Sequence, residues 1–312
     1  MSELKKIFLA VSFSIFVVYI SIVFPFLIFG LFLSIIPLVI LILKGEFLNA
    51  CISYIIVFGL LAIAFPVPLV VIYISMFGAF GIGFAIILKK GYSPLRTIRF
   101  STVLFFLIFI VLVIMLKLMA NINILDSVRS LLERTRYEAI AVYERWGVKE
   151  DLLRDFELQW ENFALIFERL FISILTIIVI VGIWICYSVC SKVFPRYSIS
   201  IASLPKFSNW RPKEEAIWGL ILAGGLFLLG SNRGWVFFER VGLNLAVVFL
   251  AMYLLAGISL ILFLLNFFRI RIFFRALIYL LIILHPLIFS GFGIIDVWLN
   301  WRQKIINRQV GK

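Results

Sequence analysis

Few residues in this chain could do chemistry, and their spacing narrows the options further. The only histidine, His285, is followed by Pro286 within an apolar run. An ionisable group inside a bilayer is costly and reads first as a ligand or proton relay, but no acid stands close to it in sequence. A backbone break stabilised by hydrogen bonds is the plainer use. Cys51 stands alone, whereas Cys186 and Cys190 share one helical face. A structural zinc site requires more ligands than that, so the cysteines read as packing residues, and neither a metal nor another cofactor is expected. Gly78, Gly81 and Gly83 run in the reverse order of a phosphate-cradling G-x-G-x-x-G loop, and no strand precedes them. Instead, Ala79 with Gly83 and Gly81 with Ala85 place small residues four apart, which lets helices approach closely in lipid. Ala223, Gly224 and Gly225 read in the same way.

Neither a Walker lysine nor a nucleophile elbow is present. The chain is therefore expected not to be an enzyme, and any transport must take its energy from a partner or an existing gradient. The apolar runs contain Asn49, Ser53, Tyr54, Tyr73, Ser75, Asn244 and Tyr253. Of these, Tyr73, Asn244 and Tyr253, together with His285, are the candidate ligand contacts. Their plainer role is interhelical hydrogen bonding, worth about 0.6 kcal/mol each.

The elements that must position these residues are set by hydrophobicity. Of 312 residues 64% are hydrophobic and 14% charged. Apolar runs at 7–43, 47–88, 100–116, 170–189, 241–268 and 276–299 are too continuous for any globular surface to cover, so hydrocarbon must solvate them. A helix over 7–43 would be roughly 55 Å long against a core of about 30 Å, so it must turn at Pro25 and Gly30. The run over 47–88 must turn at Pro66-Val-Pro68, because neither proline can continue a helix. The fold class is all-α: a polytopic transmembrane bundle of about eight spans, with a range of seven to nine. Residues 1–119 form an N-terminal bundle of about five spans, and residues 170–312 form a C-terminal one.

Charge separates the region between them. Residues 120–169 hold ten of the sixteen carboxylates and seven basic side chains, a local net of minus three in a chain of +13. Lysine and arginine stay in cytoplasmic loops, so the basic balance reflects topology and not nucleic acid. The acid-rich segment is the part that crosses, as an extracytoplasmic amphipathic helical hairpin. Its first helix is capped by Asp126 and stopped by Gly147. Its second begins near Lys149, and the apolar spacing of Leu152, Phe156, Trp160, Phe163 and Phe167 continues straight into the next span. If every apolar segment crossed, the basic tail of Arg302, Lys304, Arg308 and Lys312 would lie outside. Making 26–43 or 276–299 re-entrant resolves the conflict, and eight crossings with both ends inside are expected. Residues 296–302 would then form an interfacial helix, with Trp298 and Trp301 at headgroup level.

Trp210, then Asn244, Tyr253 and Gly257 in one span, then Gly293 through Asp296 to Arg302, resemble the YybS-like family of uncharacterised bacterial polytopic membrane proteins. The Pro66-Val-Pro68 corner and the Gly78, Gly81 and Gly83 helix extend the resemblance over most of the chain. It implies a multi-pass protein of the bacterial cytoplasmic (inner) membrane. The family is distantly similar to the substrate-binding subunits of energy-coupling-factor importers, which implies a small-molecule binding or uptake subunit with an energising protein partner. Ala10 and Ser14 offer a small-residue docking face for such a partner, although Phe8, Phe13 and Phe16 around them depart from the importer pattern. A different function class is a non-transporting envelope scaffold whose hairpin docks a protein partner through Trp146, Phe156 and Trp160. Protease added to intact cells is expected to cut between Arg129 and Arg154 and to spare the Lys89 to Arg99 turn; the reverse pattern would overturn the assignment of sides.

Overall fold

The computed structural model describes residues 3–24 and 27–310; Pro25 and Lys312, both singled out above, lie outside them. The described residues form helices and no strand, because a helix satisfies its own backbone groups where no water can. Among the described residues seven helices are long and apolar enough to cross a membrane, and one further apolar pair is bent by 101°. Contacts divide the chain into two units, Met1–Lys149 with Ile178–Leu204, and Glu150–Ile177 with Pro205–Lys312.

In the first unit α1 (Glu3–Val23) is answered by two short helices, α2 (Gly30–Leu33) and α3 (Ile36–Leu43). Ser14 Oγ donates to the Ser34 carbonyl at 2.8 Å, and Lys6 Nζ reaches Glu46 at 2.6 Å. The chain has thus returned to the level at which α1 began. The Lys6 ammonium, by hydrogen bonding, holds the Glu46 carboxyl below its ordinary range. The tie is present at neutral pH and is lost as pH falls through the folded-state pKa. Helix α4 (Phe47–Ala64) stops at Phe65, whose extended backbone (φ −132°, ψ 156°) is what a residue before proline adopts. Pro66 caps α5 (Val67–Tyr73) and Pro68 occupies its first turn, where a missing N–H costs nothing. A π-helical stretch, Ile74–Gly78, leads into α6 (Ala79–Lys89), and α7 (Pro94–Ala120) follows.

The core of this unit is aromatic. Phe32 lies 5.4 Å from Phe77, 6.1 Å from Phe80 and 5.4 Å from Phe105, centroid to centroid. Its ring fills the notch left by Gly182, where a Cβ would overlap it. Gly81 and Gly83 do what their spacing predicts: a Cβ on Gly81 would strike Leu38, and one on Gly83 would strike Leu104.

Helix α8 (Ile124–Arg145) has no buried residue. Its cap is Asn123, not Asp126: Asn123 has the extended backbone of a capping residue and its side chain accepts from Leu125 N at 3.1 Å. Asp126 stands in the first turn, where its charge still suits the helix dipole, and pairs with Arg129 at 3.7 Å. Gly147, at φ +72°, ends this region as expected. Helix α9 (Glu150–Val193) then runs unbroken for 44 residues, about 66 Å against a hydrocarbon core of about 30 Å. Roughly half of it must project beyond the hydrocarbon.

In the second unit α10 (Ala216–Arg233) and α11 (Val236–Phe267) form an antiparallel pair. A Cβ on Gly230 would overlap the Glu239 backbone, and one on Gly242 that of Phe227. Gly224 and Gly225 face open space, so the close-packing reading holds there for the buried Ala223 alone. Helices α12 (Ile272–Leu284) and α13 (Pro286–Leu299) are the bent pair. Ser290 Oγ donates to Leu250 O at 3.2 Å, Gly293 meets Tyr253, and the Arg302 guanidinium lies 5.9 Å from the Phe263 ring centroid. Residue numbers rise together along the two helices, so α13 runs in the same sense as α11, and the bent pair ends near where α11 ends.

The expected interfacial helix over 296–302 does not form. Asn300 turns into the left-handed region at φ 48°, and a separate helix, α14 (Trp301–Val310), begins there. Asp296 is therefore a fully buried residue of α13. A Cβ on Gly257 would overlap the Phe289 carbonyl, so Gly257→Leu should cost about 3 kcal/mol. Gly224→Leu, into open space, should stay within about 0.5 kcal/mol. Thermal unfolding of the purified variants in detergent distinguishes them.

Candidate functional site

In the first unit a groove of about 320 Å³ is walled by α3, α4 and the π-helical stretch into α6. Leu38, Phe47, Ile55, Phe58 and Ile82 make it apolar, and Cys51 and the Tyr54 ring line it too. Gly78 opens the space for that ring, since a Cβ there would press on Tyr54 Cε1 at 2.6 Å. π-Helical turns recur at functional sites because the extra residue shifts which side chains face inward. Here Tyr73, just before the stretch, stacks on Phe77 within it at 5.3 Å.

Behind the groove lies a short row of hydroxyls. Ser34 Oγ donates its one proton to Leu31 O at 2.6 Å. It must therefore accept from Tyr73 Oη, also at 2.6 Å. The Tyr54 hydroxyl is buried next to that of Tyr73 without a hydrogen bond of good geometry. A buried hydroxyl so poorly paired costs roughly 1–3 kcal/mol, and here it adjoins a groove able to hold a small molecule. Ser34 carried no signal of its own in the sequence, because its role depends on a tertiary meeting with Tyr73.

The four candidate ligand contacts do not converge. Tyr73 belongs to the first unit and bonds Ser34. Asn244 bridges helices of the second unit, donating to Arg169 O and Arg240 O at 2.8 Å each and accepting from Ser173 N at 2.8 Å. Tyr253 is fully buried and its hydroxyl is unpartnered. His285 is exposed at the bend, where its backbone N–H closes α12 and its carbonyl accepts from Ile288 N. The cysteines separate similarly: Cys186 and Cys190 are buried, and Cys51 is half-buried on the groove wall. Among the described residues no group of three or more potential metal ligands occurs.

The expected partner-binding side chains lie on or beside the two amphipathic helices. Trp146 is 75% exposed. Phe156, Trp160, Phe163, Phe167 and Phe171 form a continuous ladder along α9, with centroids 5.6 to 6.2 Å apart.

The polar residues of the second unit make a clasp. Arg302 Nε donates to Asp296 Oδ2 at 3.0 Å and Nη1 to Ser208 O at 2.6 Å. Ser259 Oγ holds the same loop through Phe207 O at 2.6 Å and Trp210 O at 2.7 Å. Burial lowers the affinity of the Arg302 guanidinium for its proton, Asp296 opposes this, and the neighbouring Arg211 adds to it. Arginine keeps its charge even so.

The chain matches the model of a family described as a predicted membrane protein, DUF2232, over residues 10–297, and it belongs to that family. No curated protein and no solved structure matches it.

Removing one partner of a buried ion pair strands the other's charge, at a cost of about 3–5 kcal/mol. Asp296→Leu alone should be strongly destabilised, and adding Arg302→Met should recover part of the loss. Midpoints of thermal unfolding for the two single variants and the double variant test this coupling.

Proposed function

We propose that this multi-pass membrane protein is a non-enzymatic binding subunit that takes a small apolar or amphipathic molecule into the groove beside Tyr54. The observation that carries this reading is the groove itself: about 320 Å³, lined by hydrocarbon, with a poorly paired buried hydroxyl behind it. Ligand sites combine an apolar wall with a few polar groups that set orientation, and a cavity within the spans favours solutes that dissolve in lipid. Such a subunit would serve uptake in a bacterial inner membrane and would depend on a partner for energy. Support for both chain ends lying inside comes from the basic clusters, the return of α3 to Lys6, and the shared sense of α11 and α13.

The second reading is a scaffold, favoured by the exposed Trp146 and the ring ladder of α9. A photocrosslinker at position 160 separates the two. Recovery of one envelope protein, lost in Phe156→Ala, would favour the scaffold.

Binding is tested through Cys51, the half-buried thiol on the groove wall. An apolar maleimide should label Cys51 in preference to the buried Cys186 and Cys190. Isoprenoid alcohols, fatty acids and quinones should be screened for protection, with water-soluble vitamins and nucleobases as comparison. Slowing of labelling by about tenfold with one apolar class, together with a rise in thermal midpoint, is the expected result. Equal labelling across every compound would sink the reading.

A further inference from the structure

The clasp of the second unit leaves two buried atoms of opposite character unused. Asp296 Oδ1, a carboxylate acceptor, and Arg302 Nη2, a guanidinium donor, have no hydrogen-bond partner. Both residues are at least nine-tenths buried: Asp296 is 0% and Arg302 9% exposed. The remaining polar atoms of the clasp are committed, Asp296 Oδ2 to Arg302 Nε and Arg302 Nη1 to the Ser208 carbonyl. A buried, unpaired charged atom is among the costliest features a fold can keep. Two of them on one ion pair mark a place for a group able to accept from one and donate to the other.

The surroundings specify that group further. Arg211 lies in the loop that Ser259 and Arg302 pin, close enough to Arg302 for the two guanidiniums to repel. It meets Glu214 at 3.7 Å, a carboxylate whose side chain is 71% exposed. Two close guanidiniums call for a phosphate, which accepts from both. The neighbouring Asp296 oxygen calls for a cationic N–H donor. The aromatic residues around the loop fit a headgroup depth: Phe207 stacks on Trp210 at 6.2 Å, and Trp301 follows the Asn300 turn. Arg269 and Arg271 lie just beyond the end of α11, in keeping with a membrane–water boundary there.

We infer that Asp296, Arg302 and Arg211 form a binding site for an aminophosphate headgroup, its ammonium on Asp296 Oδ1 and its phosphate on Arg302 Nη2 and Arg211. The chemistry is that of phosphoethanolamine, carried by a phospholipid or free in solution. This site lies wholly within the second unit and stands apart from the groove of the first.

The test compares lipids that differ only in the donor. The full chain is reconstituted with phosphatidylethanolamine or with phosphatidylcholine of the same acyl chains, and retained lipid is counted by native mass spectrometry. Phosphatidylcholine has no N–H, so it cannot serve Asp296, and retention of the ethanolamine lipid should be about tenfold higher. Arg211→Ala, which removes a partly exposed side chain and spares the buried pair, should reduce that preference about tenfold. Soluble O-phosphoethanolamine provides the second arm. If it displaces the lipid, the site takes the headgroup from either source; if only the lipid binds, the bilayer is the source. Equal retention of the two lipids, or a preference that survives Arg211→Ala, would overturn the site and leave a buried water as the occupant of the two orphan atoms.

Discussion

Hydrocarbon cannot hydrogen-bond, and every part of this structure answers to that fact. Backbone groups close on themselves in helices, and breaks in the helices fall where something else satisfies the chain. The corner at Phe65 and Pro66 uses a residue with no N–H. At the break after α2, the Ser34 N–H donates to the Gly30 carbonyl, and the Ser34 carbonyl accepts from Ser14. The bend at His285 is closed on both sides by its own backbone. Polar side chains follow the same logic: Asn244 spends its amide on three backbone groups, and Ser259 spends one hydroxyl on two carbonyls.

Without a hydrophobic drive between helices, packing must come from close contact, and the two units obtain it differently. In the first, large rings interlock: Phe32 sits among Phe77, Phe80 and Phe105 and enters the Gly182 notch. In the second, backbones touch directly, at Gly230, Gly242, Gly257 and Gly293. Their polar ties differ as well. Lys6 and Glu46 meet where solvent reaches them and screens their attraction. Asp296 and Arg302 meet in the interior, where the arrangement contributes geometry more than stability.

Much of the fold was legible in the sequence because length, hydrophobicity and proline act locally. The spans, the Pro66 corner, the unbroken run from the amphipathic helix into the next span and the Gly147 stop all rest on such signals. The bend between α12 and α13 falls where His285 precedes Pro286, a break visible in the sequence. What was not legible depended on facing or on tertiary meetings. Gly224 and Gly257 look alike in sequence, yet one faces open space and the other a carbonyl. Asn123 outcompeted Asp126 as a cap because backbone geometry, not charge, decides that position. The left-handed turn at Asn300, which folds Arg302 back onto Asp296, has no hydrophobic signature. At the candidate site Tyr54 and Tyr73 were visible as polar residues in spans, but Ser34 and the groove were not.

The π-helical stretch Ile74–Gly78 carries one more consequence. A π-turn holds one residue more than an α-turn, so it takes up a single extra residue and leaves the winding on either side in phase. Deleting one residue such as Ser75 would restore ordinary winding with 79–89 in place, Gly81 still against Leu38 and Gly83 against Leu104. The same deletion within the regular turns of α6 would rotate everything after it by about 100°. The stretch therefore acts as a length buffer, where the chain can lose a residue without changing which surface of α6 meets α3 and α7.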